Sequence, residues 1–459
     1  MTRGQRTIYL PKCSEDLKKC GSSQCGKFSE KQLKLCSNCA EVAYCDSECQ
    51  KADWRDHKRH CGKTDRVELE AFMPLIAVMM LTHRTHPVCP HSPALSHKII
   101  NSPNPGTPAI TFPDGSSATL VLLGERTAPN ALQSHEWWPT AESIDTRNQF
   151  VKRFFSETPL LPSVLAILLS ILAEVYSTTH VPASDAHDGK AQRRVRLKYR
   201  GSPISDFGIA KGSVVNVSAE NRFVYYTVDP AGGTGTFTKG MDPDDHYWIY
   251  FTTTTGEEIT LDCGLLTFAY PFIVRAQPYD KFCDLPAATS AAPAFFRGKE
   301  YRHLPEMHRE KARFSVLRDA RLHEAVRHSR EFYNEGEMGA VIEFMERVAG
   351  RPSSDIEKYL VHQWTMDSSK ILDQVVASRA YLDYPEEPDL GMMGIPVPPS
   401  FLEGDAGKKA EEELTNYMKK WSRKYKKGKV SLDQFTDAFV KHAREKRQEL
   451  GDGEGPGRR

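Results

Sequence analysis

"CSNCAEVAYCDSECQKADWRDHKRHC", residues 36–61, holds five cysteines and two histidines in 26 residues. The chain has 459 residues and 11 cysteines, and eight of those cysteines precede residue 62. Seven of the eight, with one histidine, fall into four pairs: Cys20 with Cys25, Cys36 with Cys39, Cys45 with Cys49, and His57 with Cys61. A two-residue gap on a tight turn brings both sulfurs to one side, within reach of a single tetrahedral ion. A three-residue gap puts donors at i and i+4, on one face of a helical turn. Eight donors make two closed sites of four. That is the structural rather than the catalytic pattern, because no coordination position stays open for water. A redox role for the Cys36–Cys39 pair is not expected, since no thioredoxin-like βαβ pattern surrounds it. The stretch "MTRGQRTIYLPKCSED" lacks the apolar core of a secretory signal, so an intracellular setting, cytoplasm or nucleus, is expected. Thiols stay reduced there, and clustered cysteines favour metal over disulfides.

The longer string "LKLCSNCAEVAYCDSECQKADWRDHKRHC" resembles the MYND-type zinc finger. The tail of that motif is carried by Tyr44, Cys45, Cys49, Gln50, Trp54, His57 and Cys61. The resemblance covers residues 20–61. It departs from the family at the first pair, where four residues separate Cys20 and Cys25 instead of the commoner two, and this leaves Cys13 as an alternative first ligand. The family's cross-braced arrangement implies one Zn2+ on Cys20, Cys25, Cys45 and Cys49, and a second on Cys36, Cys39, His57 and Cys61. Interleaving makes physical sense, because so short a segment has almost no hydrophobic core and two ions tying distant pairs replace it. His60 neighbours Cys61 but cannot share the helix face on which His57 and Cys61 meet, so it reads as a surface residue.

The resemblance also implies a protein-interaction module, some members of which take short Pro-x-Leu-x-Pro peptides alongside a strand edge. The groove positions of that subset map onto Ser37, Gln50 and Trp54. For Trp54, packing against the second zinc site is the competing expectation. DNA readout is not expected: Lys and Arg outnumber Asp and Glu only 12 to 9 across residues 12–66, and no basic recognition helix stands out.

Beyond the finger, a formal charge of +1 excludes a polycation or an acidic tail protein. The remainder reads as an α+β body over residues 62–380, preceded by an N-terminal segment at 1–19. Helices are expected at 64–86, with Thr64 as cap, and at 144–178, with the Pro/Ser/His-dense stretch after the first as a loop. The run "PLLPSVLAILLSILAEVY" (159–176) is broken by Pro162 and closed by Glu174. That is too short for the roughly 20 residues a bilayer span needs, so a buried helix and no membrane contact are expected. Period-two, β-rich segments across 193–275 predict one antiparallel sheet. A helical block follows at 306–380, in which Met338, Val341, Ile342, Met345 and Val348 share one face. Residues 381–407 read as a Pro/Gly-rich linker, and 408–459 as a basic helix with a disordered tail. Seven of residues 419–429 are Lys or Arg, interleaved with Trp421 and Tyr425. This segment is a weak candidate for RNA binding or nuclear import, set against the blander expectation of a solvated face beside Glu411, Glu412 and Glu413.

Two segments invite a catalytic reading. His246 on one strand and Asp262 on the next resemble the histidine–aspartate pair of transglutaminase-like hydrolases and acyl-transferases, with the finger then a docking device. That chemistry needs a nearby cysteine, and beyond the finger region Cys89 is the sole thiol upstream of His246. Aromatic cross-strand packing with a polar rim is the simpler expectation. "GEEI" at 256–259 is similar to a phrase of SET methyltransferase domains, whose Asn-His-x-Cys motif and three-cysteine tail are both absent here. "HYWIYFTTTTGEEITLDCGLLTFAY" resembles a region of fungal MYND proteins, which supplies no activity. The favoured expectation is a zinc-finger adaptor without catalytic residues.

Overall fold

The computed structural model describes residues 6–29, 33–58, 61, 64–179, 194–227, 235–287, 289–298, 306–327 and 335–393, and then residues 417, 420, 421, 423, 424, 427–430, 434 and 438. It is a mixed α and β structure with a small N-terminal finger. His60, Tyr425, residues 394–407 of the expected linker and the tail at 451–459 lie outside the described residues.

Both ends of the finger are fastened to the body. Before it, Arg6–Ile8 pairs antiparallel with Ser177–Thr179, and the Arg6 guanidinium meets Glu174 at 2.8 Å in a buried ion pair. After it, Thr64–Glu68 is a strand lying parallel to Arg194–Lys198. The helix expected from residue 64 therefore starts later, at Leu69, and runs to Thr85. Parallel pairing uses the backbone groups that a helix from Thr64 would have kept for itself, a case of tertiary context overriding local capping signals. Arg66 also reaches back to Glu41 of the finger at 2.7 Å, with both side chains mostly buried.

The 144–178 block is two helices. Ile144–Ser156 is capped by Ser143, whose side chain accepts the Thr146 N–H, and Leu160–Glu174 follows at a 62° bend. Pro159 forces the break, because the residue before a proline is steered away from helical geometry. Leu160–Glu174 is buried along its length among the central sheet, Leu69–Thr85 and the long helix Asp355–Ser378. No single helix among the described residues is long and apolar enough to cross a membrane.

The expected strands are present, but they divide among three sheets, with Phe272–Arg275 in a small one of its own between Ala291–Pro293 and Leu390–Met392. The central one runs Phe295–Arg297, Glu258–Asp262, His246–Thr253, Ser202–Val214, Arg194–Tyr199, Thr64–Glu68, with His308–Ser315 also pairing against Ser202–Val214. Residues 308–315, expected to be helical, are thus a strand. The 13-residue Ser202–Val214 strand offers edges along its length to both His246–Thr253 and His308–Ser315, and pairing decides the conformation of this polar, alternating segment. Helices resume at Ala320–Ala325, Glu335–Ala349 and Asp355–Ser378. Of the expected apolar face on Glu335–Ala349, Val341, Met345 and Val348 are buried, while Met338 and Ile342 are half-buried.

The second sheet runs Thr236–Lys239, Phe223–Thr227, Ser117–Arg126, His97–Ile99, and Phe223–Thr227 lies parallel to Ser117–Arg126. Three of its strands, His97–Ile99, Ser117–Arg126 and the short Ile110–Thr111 that pairs with it, come from the region between residues 87 and 143, part of which reads as loop. Behind it sits a separate aromatic core of Trp137, Trp138, Phe150, Phe154, Phe223 and Tyr225. The start of the expected linker is likewise structured: Leu390–Met392 pairs with Phe272–Val274, and Arg275 meets Asp389 at 2.9 Å. An open edge of Phe272–Arg275 gives those residues backbone partners that linker composition does not foretell. Farther on, Trp421 packs against a buried cluster formed by Val214, Leu265, Phe268, Tyr270, Phe295 and Met307, with the Lys424 ammonium 4.4 Å over its ring.

Candidate metal centre

The finger is built on a short hairpin, Lys34–Leu35 with Ala43–Tyr44, and one helix, Ser47–His57. Asp46 caps that helix by accepting the Cys49 N–H at 2.9 Å, which sets Cys49 in the first turn. His57 is the last helical residue, and the Cys61 N–H donates to its carbonyl at 3.0 Å. Cys49 and His57 are eight residues apart, about 12 Å along a helix axis. One helix cannot place both on the same ion, so it must serve two, and the structure gathers the donors accordingly. Cys20, Cys25, Cys45 and Cys49 converge in one group, and Cys36, Cys39, His57 and Cys61 in another.

The spacings fit zinc. Cys25 and Cys45 hold their sulfurs 3.6 Å apart, and Cys36 and Cys61 theirs 3.8 Å apart. The His57 Nε2 lies 3.5 Å from the Cys39 sulfur and 3.4 Å from that of Cys36. A disulfide would need about 2.05 Å. A tetrahedron with Zn–S bonds of about 2.3 Å has edges near 3.75 Å. The two tetrads are consistent with two structural Zn2+ ions.

Sulfur acidity points the same way. Burial pushes the Cys39 thiol up to about 12, the Cys45 thiol up to about 11 and the Cys49 thiol up to about 12. At Cys36 burial also acts upward, but hydrogen bonds from the Cys39 backbone, His57 and Asn38 outweigh it and bring the thiol to about 7. Such closely placed sulfurs cannot all be thiolates without a cation among them, and a bound Zn2+ would supply it.

Groups that motif spacing did not reveal orient the donors. The Asn38 side-chain amide donates to the Cys61 sulfur at 3.2 Å, and the Glu41 N–H to that of Cys39 at 3.5 Å. Gln50, singled out for a peptide groove, is half-buried with its amide 3.7 Å from the Cys36 sulfur. Beside Cys20, Gly21 lets the chain pass Val42, whose Cγ1 would lie 2.2 Å from an added Cβ. The four-residue gap after Cys20 is absorbed by a turn in which the Cys25 N–H donates to the Ser22 carbonyl. Cys13 stands apart, with its thiol on Asp16 at 3.1 Å.

Trp54 is 46% exposed, and its ring meets His57 at 6.0 Å in a tilted arrangement. It touches the second tetrad at one side only. The buried ring there is that of Tyr44, which stands edge-on to His57 at the same 6.0 Å while its hydroxyl donates to Asp53 at 2.7 Å. Ser37 is exposed.

In the body, His246 and Asp262 do meet, with the His246 Nε2 2.7 Å from the Asp262 Oδ2. His308, 46 residues beyond Asp262 and not foreseen, brings its Nε2 to the same oxygen at 2.6 Å. His246 and Asp262 are fully buried. Cys89 is buried near the Arg84 side chain, and burial pushes its thiol up to about 12. An open groove of about 470 Å³ lies elsewhere on the body, lined by residues that include Thr82, His86, Asp284, Gln363 and Lys370.

Two interleaved tetrads on a hairpin and a helix define a cross-braced two-zinc finger. Residues 19–61 match the MYND finger family model. In a separate comparison the chain is 45% identical over 49 residues to a protein named histone-lysine N-methyltransferase ASHR1 from Arabidopsis thaliana, a match covering 10% of each chain. The similarity thus spans about a tenth of that relative's length. No solved structure matches the chain.

Proposed function

We propose that this chain is an intracellular zinc-dependent adaptor whose finger recruits a protein partner through a short peptide, with the α+β body as a second binding module. One observation carries the proposal. Trp54 stands half-exposed on the zinc-held helix, and Ser37 is exposed on the loop between two zinc ligands. A large aromatic side chain kept outward on a rigid, metal-fixed element is the kind of anchor that peptide recognition uses. Fastening at both ends fixes the finger's orientation on the body, so a recruited partner would be presented to the body in one geometry. Nucleic acid is not part of the proposal, since Trp421 leans on the body and on Lys424 rather than standing free to stack on bases.

The proposal includes no catalytic step. His246 is fully buried, and its Nε2 is engaged by a carboxylate that His308 shares, which supports a positioning role for this histidine over that of a general base. The finger proposal is tested by titrating a Pro-x-Leu-x-Pro peptide into the full chain and following tryptophan fluorescence, with Trp54→Phe as the control. A saturable change that the control lacks supports it, and an unchanged signal argues against this peptide class. Affinity purification with and without Cys45→Ser asks the broader question, and an unchanged partner set would mean that the finger is not the recruiting surface.

A further inference from the structure

The body contains a second kind of donor cluster. His246 on strand His246–Thr253, Asp262 at the end of Glu258–Asp262 and His308 at the start of His308–Ser315 bring one donor atom each to a common point. Both imidazoles present Nε2, and both face the same carboxylate oxygen. The other oxygen, Oδ1, accepts the Gly264 N–H at 2.6 Å, which fixes the carboxylate plane. Gly264 is also required sterically: a Cβ there would lie 2.7 Å from His246 Cε1 and 2.8 Å from Leu160 Cδ2. Aromatic rings wall the cluster, with Trp248 stacked on His308 at 4.3 Å, Phe268 5.5 Å from His246 and Phe295 6.0 Å from His308. Phe268 and Phe295 belong in turn to the patch on which Trp421 rests.

We propose that His246, Asp262 and His308 form a third metal site, for a borderline divalent ion such as Zn2+, distinct in chemistry from the two sulfur-rich sites of the finger. Two imidazole nitrogens and one carboxylate oxygen are a donor set suited to zinc and to first-row transition ions generally. Three elements distant in sequence supply one donor each, and the carboxylate is oriented by a backbone N–H, as ligating carboxylates usually are. With three protein donors, a coordination position is left over. The His308 side chain keeps 8% exposure while the other two have none, so that position faces the His308 side.

The donors stand at hydrogen-bond spacing, which describes the proton-bearing form, with each Nε2–H donating to Oδ2. Metal binding moves each imidazole proton to Nδ1, frees both Nε2 lone pairs, and spreads each imidazole nitrogen from the carboxylate oxygen by about 0.8 Å to reach bonds of about 2.0–2.2 Å. The competing arrangement is a triad that stays metal-free, its carboxylate balanced by the nearby buried Arg84.

The experiment uses the full chain, loaded with excess Zn2+ and desalted, and counts metal by elemental analysis. The expected result is about three ions per chain, against about two in the His246→Asn/His308→Gln double variant. Titration of metal-free wild type with Co2+ gives an independent reading. The finger sites produce thiolate-to-metal charge transfer, and a third equivalent is expected to add nitrogen/oxygen-type bands without further thiolate absorption. About two ions in loaded wild type would overturn the proposal. So would a count that the double variant leaves unchanged. Should the double variant fail to fold, the wild-type count and the Co2+ titration decide by themselves.

Discussion

The finger and the body each gather histidine with anionic donors, yet the two gatherings differ in spacing and in span. In the finger, donors stand 3.4–3.8 Å apart and come from 42 consecutive residues, 20–61. In the body, donors stand 2.6–2.7 Å apart and come from three strands between His246 and His308. Sulfur is large and soft, so thiolates kept at the edges of a tetrahedron have little to say to one another until an ion sits between them. Imidazole N–H and carboxylate oxygen bond directly, so the body triad can hold itself together. In the finger the metal stands in for a core. In the body a large core already exists, and a metal could only adjust it.

Three experiments would break or sharpen that contrast, and the largest effect concerns the finger. Stripping metal with a strong chelator should abolish protection of the Ser47–His57 amides in hydrogen exchange while leaving Leu160–Glu174 protected. Structural zinc in finger peptides is worth on the order of 10–16 kcal/mol, far more than so short a segment can recover from packing. Loss of protection in both regions together would show finger and body to be one cooperative unit, joined through Thr64–Glu68 and Arg6–Ile8.

The next effect is in the body. Asp262→Ala leaves two buried imidazoles without their shared acceptor and should cost about 3–5 kcal/mol in urea unfolding, the range for removing one partner of a buried pair. Finger zinc should be unaffected. A cost below about 1 kcal/mol would mean that the triad is not what holds those three strand ends.

A smaller effect calibrates burial of a carboxylate that lacks the two imidazoles. Glu157 accepts the Tyr225 hydroxyl at 2.5 Å, and burial pushes its carboxyl up to about 7 despite that bond and the Arg153 guanidinium. A raised folded-state value means the neutral acid is favoured in the fold. Its contribution is therefore present below the ordinary value of 4.5 and is lost as pH rises to about 7. Glu157→Gln, neutral throughout, should flatten the stability-against-pH curve between about 4.5 and 7. Asp262 is the opposite case: burial acts upward there too, but two imidazoles outweigh it and hold the carboxyl well below the usual range. An unchanged pH curve for Glu157→Gln would remove that contrast.

The finger was legible because its chemistry is local. Pair spacings of two to four residues constrain sulfur geometry directly, and seven of the eight donors were marked before any strand was placed, with Cys13 open as an alternative to Cys20. Even the wide Cys20–Cys25 gap needed only a turn. The regular elements of the body were partly legible. Period-two segments and the buried helix after Pro159 stand where patterning puts them, whereas Thr64–Glu68, His308–Ser315 and Leu390–Met392 became strands because a distant edge was available. The pairing of His246 with Asp262 could be guessed from adjacent strands. Nothing in local spacing marked His308, whose role depends on which edge its strand joins.

By itself, then, the sequence determined the four donor pairs and the α+β character of the rest, because those rest on spacings of a few residues, while the grouping of the pairs into two tetrads was implied by the resemblance to the MYND finger and is a contact between distant pairs. Tertiary structure alone decided how the finger is fastened, how the strands divide among three sheets and which histidine completes the triad. Those depend on pairing and burial between segments far apart in the chain, where a strand takes its partner from whatever edge the rest of the fold leaves open.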